Sequence, residues 1–284
     1  MLETLIEIFK AILFGIVEGV TEWLPISSTG HLILLDEFVH LNVTPEFYDM
    51  FEVVIQLGAI LAVIVLFFHK LNPFSSRKAA EEKRSTWQLW GKVVLATIPS
   101  AVIGVIMEIL DLDKVLYNYV VVAIALIVYG VAFILVERSH KNKVPAVAGV
   151  DDLTVKTAVL IGCFQCLALI PGTSRSGSTI LGGIILGVSR GAAAEFSFFL
   201  AIPTMLGASA LKLFKFILTG VGITSVELIV LLVGCVVSFL VSWLVIRKLM
   251  EYVRKHSFSA FGVYRIVLGV LVLGYFVIKG LVAA

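Results

Sequence analysis

Residues 18–31, Glu18-Gly-Val-Thr-Glu22-Trp-Leu-Pro25-Ile-Ser27-Ser28-Thr29-Gly30-His31, cut an apolar region, 5–39, in two. Residues 171–178, Pro171-Gly172-Thr173-Ser174-Arg175-Ser176-Gly177-Ser178, do the same to a second apolar region, 155–188. A single membrane crossing needs about 20 mostly apolar residues. Each region is too long for one crossing, and each is interrupted in its middle by residues that stop helices, proline first among them. Each is therefore two crossings or a re-entrant hairpin. Short halves and polar breaks favour the hairpin, because irregular backbone is tolerated at membrane depth only where protein or a polar cavity surrounds it. Two hairpins are expected, at about 5–40 and about 155–189.

The composition around these stretches demands a bilayer. Of 284 residues, 60% are hydrophobic and 15% charged, whereas soluble domains carry about 25% charged residues. The mean hydropathy is +1.06, an excess that no single water-soluble core of this size hides. A soluble enzyme, a disordered chain and a secreted disulfide scaffold are thereby excluded. A net charge of +2 argues against nucleic acid as a partner. Cys163 and Cys166 form a CxxC, but with no second pair and no βαβ setting they are expected to be packed thiols in a helix. Glu3 and Glu7 precede Lys10, and Glu18 interrupts the first apolar stretch, so no cleaved signal peptide is expected. Six full-length spans are expected at 47–68, 89–110, 117–136, 192–211, 227–246 and 260–278.

Loop charge sets the threading. Segments 69–87, 138–156 and 247–256 are rich in Lys and Arg, whereas 40–50 has none, 111–116 has only Lys114, and 212–226 has only Lys212 and Lys215. The positive-inside rule places the first three in the cytoplasm and the other three outside. The first hairpin then enters from outside and the second from inside. The halves also echo each other: AILFG ends at Gly15 and AVLIG at Gly162, and Pro25 and Pro171 follow, each before a small polar run. Glu52 and Glu195 come next, and three spans complete each half. An odd number of crossings per copy forces the second copy upside down, as in many transporters. The expected fold is an all-α polytopic membrane protein, one membrane domain over 1–284. It is an inverted-topology repeat of 1–140 and 150–284, with about six full transmembrane helices plus two re-entrant helical hairpins.

The breaks carry the chemistry. Glu18 and Glu22 are four residues apart and share a helix face. Ionisable groups in an apolar segment mark function by default, and two carboxylates so placed share a proton or hold a divalent cation. Ser27, Ser28 and Thr29 are placed to cap the next helix, whose free N–H groups favour an anion. Gly30 lets the backbone approach closely, and His31 falls in that helix's first turn. Gly172, Thr173, Ser174, Ser176 and Gly177 around Arg175 form a phosphate cradle of amides, hydroxyls and a guanidinium. Arg175 also suits a structural role, neutralising Glu18 or Glu22. The combination describes a site for a metal-assisted phosphoryl group, although no Walker A or Cys-x5-Arg pattern is present. Glu52, Gln56 and Glu195 are polar points near span starts with no catalytic role assigned.

EGVTEWLPISSTGH and PGTSRSG, in an apolar chain of this length, resemble the undecaprenyl-diphosphate phosphatase family, also called the bacitracin-resistance protein family. The resemblance implies a bacterial inner-membrane, multi-pass enzyme (EC 3.6.1.27). Such an enzyme hydrolyses undecaprenyl diphosphate to undecaprenyl phosphate and inorganic phosphate, recycles the cell-wall lipid carrier and confers bacitracin resistance. It implies a divalent cation, Mg2+ or Ca2+, and an active site open to the external, periplasmic face. Glu18 and Glu22 match the family's ExxxE pair, Ser27, Ser28, Thr29 and His31 its serine-histidine motif, and Arg175 the arginine of PGTSRSG. Partners are then the polyprenyl diphosphate and membrane lipid, with a homodimer compatible. Three mechanisms stay open: Ser28 attacks with Glu22 or His31 as base, His31 attacks, or water attacks directly. The alternative activity is a transporter or flippase of a lipid-linked phosphate using the same inverted-repeat site.

Overall fold

The computed structural model describes residues 2–110 and 112–283. Met1 and Ala284, the limits of the expected domain, and Asp111 in the expected external 111–116 loop lie outside them. Among the described residues the regular structure is helical, with one isolated bridge between Val147 and Val188. The first apolar region forms α1 (Leu2–Thr21) and α2 (Ser28–Phe38). A span follows as α3 (Pro45–Val54) and α4 (Gln56–Leu66), then a single turn, α5 (Phe68–Leu71). Next come α6 (Ala80–Ile109), the short α7 (Leu112–Leu116) and α8 (Tyr119–His140). The second apolar region gives α9 (Val155–Gln165), a 3-10 turn (Cys166–Leu169) and α10 (Arg175–Ile185). Three long helices finish the chain: α11 (Arg190–Leu218), α12 (Ser225–Val253) and α13 (Ser259–Ala283).

Among the described residues six helical stretches are long and apolar enough to cross a membrane, and all six overlap the expected spans. Their starts follow local capping chemistry. Thr44 caps Phe47 N ahead of Pro45, Asn118 caps Val120 and Val121, and Ser189 caps Ala192. Thr224 and Glu227 form a reciprocal capping box, so two otherwise orphaned amides are satisfied at once.

The charged segments separate to two ends. At one end Lys70 pairs with Asp151 (3.3 Å) and Glu195 (2.9 Å). Arg190 there forks onto Glu137 (2.5–3.1 Å), which also accepts from Phe258 N. A cavity lined by Pro145, Arg190 and Arg254 brings 138–156 and 247–256 together at this end. At the other end Thr44 N donates to Glu227, Lys10 to the His40 carbonyl, and Asn42 N to Glu7. Tyr117 donates to Glu52 at 3.5 Å, and burial together with that carboxylate pushes its phenol above the ordinary value.

Each short pair returns to the end it came from. The Lys10–His40 and Glu7–Asn42 bonds tie the outer part of α1 to the residues after α2. On the opposite end Ala146 N and Val147 N bond Gly187 O, and Ser189 N bonds Val147 O. The return helices α2 and α10 have 11 residues each, roughly 16 Å of rise, about half of the ~30 Å hydrocarbon thickness.

Close packing runs between the halves. Gly15 and Gly19 of α1 meet Gly234, Val237, Ser238 and Val241 of α12, ascending together, so the two helices run parallel. Gly162 of α9 meets Ala96 of α6, and Gly104 of α6 meets Leu169, again in parallel. Gly130 of α8 meets Gly262 of α13, whereas Gly269 meets Ala123, an antiparallel crossing. Behind the helix breaks lies an apolar core containing Trp23, Phe133, Phe196, Phe198 and Phe199, all fully buried.

Three local expectations change. The first helix ends at Thr21, not at Pro25, because Pro25 has no N–H to offer the carbonyl four residues back, that of Thr21, and its ring crowds it; Glu22 N still bonds Glu18 O at 3.0 Å. The second loses its α geometry after Gln165, and Ile170, just before Pro171, is extended. Cys163 is exposed rather than packed, since its neighbour Gly162 faces α6 and the next residue turns away by about 100°.

Candidate active site

The two breaks are built alike and meet. Ser27 (φ 74°) and Ser174 (φ 72°), 147 residues apart, are the only non-glycine residues with positive φ among those described. Each caps the amide three residues on: Gly30 N donates to Ser27 Oγ (3.3 Å) and Gly177 N to Ser174 Oγ (3.1 Å). A backbone held in so sparsely populated a region stores about 1–3 kcal/mol and is characteristic of functional sites. The remaining first-turn amides of α2 and α10 have no acceptor within their own helices, so two positive helix ends converge.

Arg175 NH2 lies 2.8 Å from Glu22 Oε1, an ion pair across 153 residues of chain with both side chains about nine-tenths buried. Ser28 Oγ donates to Glu22 Oε2 at 2.7 Å. Arg175 NH1 donates to the Ser197 carbonyl (2.8 Å), and its guanidinium lies over Trp23, 5.5 Å from the ring centroid. Ser176 Oγ donates to the backbone carbonyls of Glu22 (3.0 Å) and Leu24 (3.3 Å), so this hydroxyl ties the hairpins together. Thr179 and Ser197 hydroxyls are 2.7 Å apart beneath.

His31 is held at both ring nitrogens. Nδ1 is 2.7 Å from Ser27 O and must carry the hydrogen, since a carbonyl only accepts. Nε2 of the neutral ring then accepts from Tyr264 Oη at 2.6 Å, the two rings being near parallel (3°). Thr29, His31, Ser174 and Arg175 are half-buried and form the accessible rim, whereas Glu18, Glu22, Ser27, Ser28 and Thr173 are buried. Gly172, at φ +90°, sits where any Cβ would strike Val122 O at 2.5 Å.

The structure thus gathers Glu22, Ser28, Arg175, Ser174 and Ser176 into one hydrogen-bonded junction. Glu18 stands apart from it. Its residue is fully buried, and both carboxylate oxygens lack a hydrogen-bond partner. That orphaned pair fits a divalent cation, which prefers oxygen ligands and completes its shell with waters and phosphate oxygens. Glu22, already engaged by Arg175 and Ser28, is the weaker ligand of the two. Among the described residues no cluster of three or more His, Cys, Asp or Glu could hold a metal by itself, so a cation here would take its remaining ligands from solvent and substrate. Other buried atoms without partners also gather at the breaks: Trp23 Nε1, Thr173 Oγ1 and Arg175 Nε.

Three participants were not singled out in the sequence: Tyr264, Arg265 and Ser197. Arg265, fully buried on α13, donates to Pro25 O (3.1 Å), Gly172 O (2.8 Å) and Thr173 O (2.9 Å), gripping both breaks. A lone basic residue inside the span expected at 260–278 was the available signal.

Known proteins share this chain almost end to end. A protein of Lactiplantibacillus plantarum named undecaprenyl-diphosphatase is 58% identical over 273 residues, 96% of this chain and 98% of the relative. One of the same name from Enterococcus faecalis is 55% identical over 268 residues, covering 94% and 97% of the two chains. Undecaprenyl-diphosphatase 1 of Clostridioides difficile is 59% identical over 273 residues, covering 96% and 97%. Residues 11–271, which include both breaks and the first half of α13, match the model of the bacitracin resistance protein BacA family, and the chain belongs to that family.

Proposed function

We propose that this multi-pass membrane protein is a phosphatase that hydrolyses undecaprenyl diphosphate to undecaprenyl phosphate and inorganic phosphate, and so recycles the lipid carrier. The observation that carries this reading is the junction of two helix N-termini around Ser28, Glu22 and Arg175, with donors and a carboxylate left unpartnered beside it. Buried polar atoms without partners are uncommon in folded proteins, and several together beside a junction suit the reception of a polar ligand. The near-complete match to relatives named undecaprenyl-diphosphatase supports the same substrate. A half-buried rim inside a bilayer suits a substrate whose tail stays in lipid.

The geometry favours one of the three mechanisms. Ser28 Oγ already donates to Glu22, which makes Glu22 the base that takes its proton. His31 has both ring nitrogens engaged, by Ser27 O and Tyr264 Oη, which supports Glu22 over His31 as the base. Ser28 Oγ attacks the terminal phosphorus and the bridging P–O bond breaks. Polyprenyl phosphate leaves with the bridging oxygen, and water then hydrolyses the phosphoserine to inorganic phosphate. Arg175 Nε–H, Thr173 Oγ1–H and the free first-turn amides donate to the phosphoryl oxygens. Glu18 would hold a Mg2+ or Ca2+, which when bound would supply charge offsetting that of the diphosphate.

The same reading takes the chain as inverted copies, 1–140 and 150–284. The matched caps at Ser27 and Ser174 support it. So do the parallel packing of α1 on α12 and α9 on α6, and the antiparallel crossing of α8 and α13. The proposed setting is the bacterial inner membrane with the site entered from outside. A cavity of about 450 Å3 beside α2, lined by Ile33, Asp36, Tyr48, Glu52 and Tyr117, supports that side of entry.

The test is phosphate release from farnesyl and undecaprenyl diphosphate by purified protein with Mg2+ or Ca2+. Release from the unaltered protein, abolished by chelator and lost in Ser28→Ala, is expected. Binding of the diphosphate without release would point to transport instead, and full activity in Ser28→Ala would remove serine as nucleophile.

A further inference from the structure

Arg265, on α13, has no access to solvent. Its three hydrogen bonds all go to backbone carbonyls, one from the first break and two from the second. Nε has no partner, and the Tyr129 ring lies under the guanidinium at 5.5 Å. Among the described residues no carboxylate forms a salt bridge with it, in contrast to Arg175, which has Glu22. A buried charge held only by carbonyl dipoles is costly to keep, and a tie between two loops needs no charge. NH1 also lies 3.3 Å from where a Cβ on Gly177 would stand, so the guanidinium faces the first turn of α10.

Resting on the phosphatase reading of the site, we propose that Arg265 is a positioning residue for anion recognition. It holds the two helix breaks in register through Pro25, Gly172 and Thr173, and it leaves a positive charge without a counter-ion directly behind the cradle those breaks form. The diphosphate is its missing counter-ion. Through the carbonyls it pulls, it also aims the first-turn amides of α2 and α10 at one point. The fork geometry matters as well as the charge: a planar guanidinium reaches carbonyls from two separate chain segments at fixed angles, which an ammonium does not reproduce.

The experiment uses the full chain in lipid nanodiscs, with farnesyl methylenediphosphonate as a non-hydrolysable anionic probe and farnesol as its neutral counterpart. Arg265→Met should weaken binding of the diphosphonate by roughly 10–100-fold, the size of one interaction to a charged group, and leave farnesol binding within about twofold. A general collapse of the fold would weaken both ligands alike. Arg265→Lys keeps the charge but loses the fork, so diphosphonate affinity should stay within about fivefold while kcat on farnesyl diphosphate falls. Equal diphosphonate affinity in Arg265→Met and the unaltered protein overturns the proposal. If Arg265→Met does not accumulate in the membrane, Arg265→Lys decides: an unchanged kcat overturns it, and a lowered kcat with retained affinity supports it. An unaltered protein that binds the diphosphonate but releases no phosphate sinks the phosphatase reading alone, because the binding comparison does not depend on turnover.

Discussion

Removing the charge from Glu22 tests the junction directly. Its side chain is 7% exposed and that of Arg175 11%. In Glu22→Gln the guanidinium keeps the Ser197 carbonyl at 2.8 Å but loses its counter-ion, and the Ser28 hydroxyl loses a charged acceptor. Breaking a buried pair from one side costs about 3–5 kcal/mol, because a charge stays buried alone. For a chain of this size 1 kcal/mol corresponds to roughly 2–4 °C in Tm, so a fall of at least ~6 °C is expected. Arg175→Met strands Glu22 and should cost a similar amount. The double variant leaves neither charge stranded, so its loss should be smaller than the sum of the singles by about 2–3 kcal/mol, or roughly 4–12 °C. Thermal unfolding of the four purified proteins in one detergent, at fixed protein concentration and without added divalent cation, provides the comparison. Additivity of the two single losses to within about 0.5 kcal/mol, the behaviour of independent sites, would show that the ion pair is not the junction's central bond.

Other changes separate the remaining contacts. Tyr264→Phe deletes the hydroxyl on His31 Nε2 and should lower turnover of farnesyl diphosphate by about 2–10-fold, the worth of one neutral hydrogen bond; unchanged turnover would make that bond incidental. Ser174→Ala loses the cap on Gly177 N while keeping the unfavourable φ, at about 1 kcal/mol. Ser174→Gly relieves the backbone and should unfold at a temperature no lower than the alanine variant. Gly162→Val drives a Cβ onto the Ala96 carbonyl and should prevent a monodisperse protein from being isolated. Gly191→Ala, which meets nothing within 4 Å, should purify like the unaltered chain.

The spans were legible because apolar length maps directly onto bilayer thickness. The ends were less so: α6 begins at Ala80, nine residues before the expected 89, because Glu-Glu-Lys-Arg-Ser-Thr-Trp-Gln continues the helix beyond the apolar stretch. Pro25 and Pro171 announced the breaks, but the α-helices stop at Thr21 and Gln165, several residues earlier. Proline acts backwards along the chain, and the positive φ of Ser27 and Ser174 fixes where the next helix starts. Complementary charge in Glu22 and Arg175 was readable; their 2.8 Å contact was not, since it depends on how two hairpins dock. Arg265 was hardest to see. Its partners are carbonyls 92–240 residues away, and a backbone carbonyl leaves no trace in the letters of a sequence.

Three of the closest helix pairs join the two halves: α1 on α12, α9 on α6, α8 on α13. Biogenesis inherits that arrangement. Glu22 is made 153 residues before Arg175, an interval of about 8–30 s at usual rates of synthesis. For that time the newly inserted amino-terminal helices wait in lipid with an acidic tip and uncovered glycine faces. Two separately expressed halves should therefore assemble into active protein only when they are produced together.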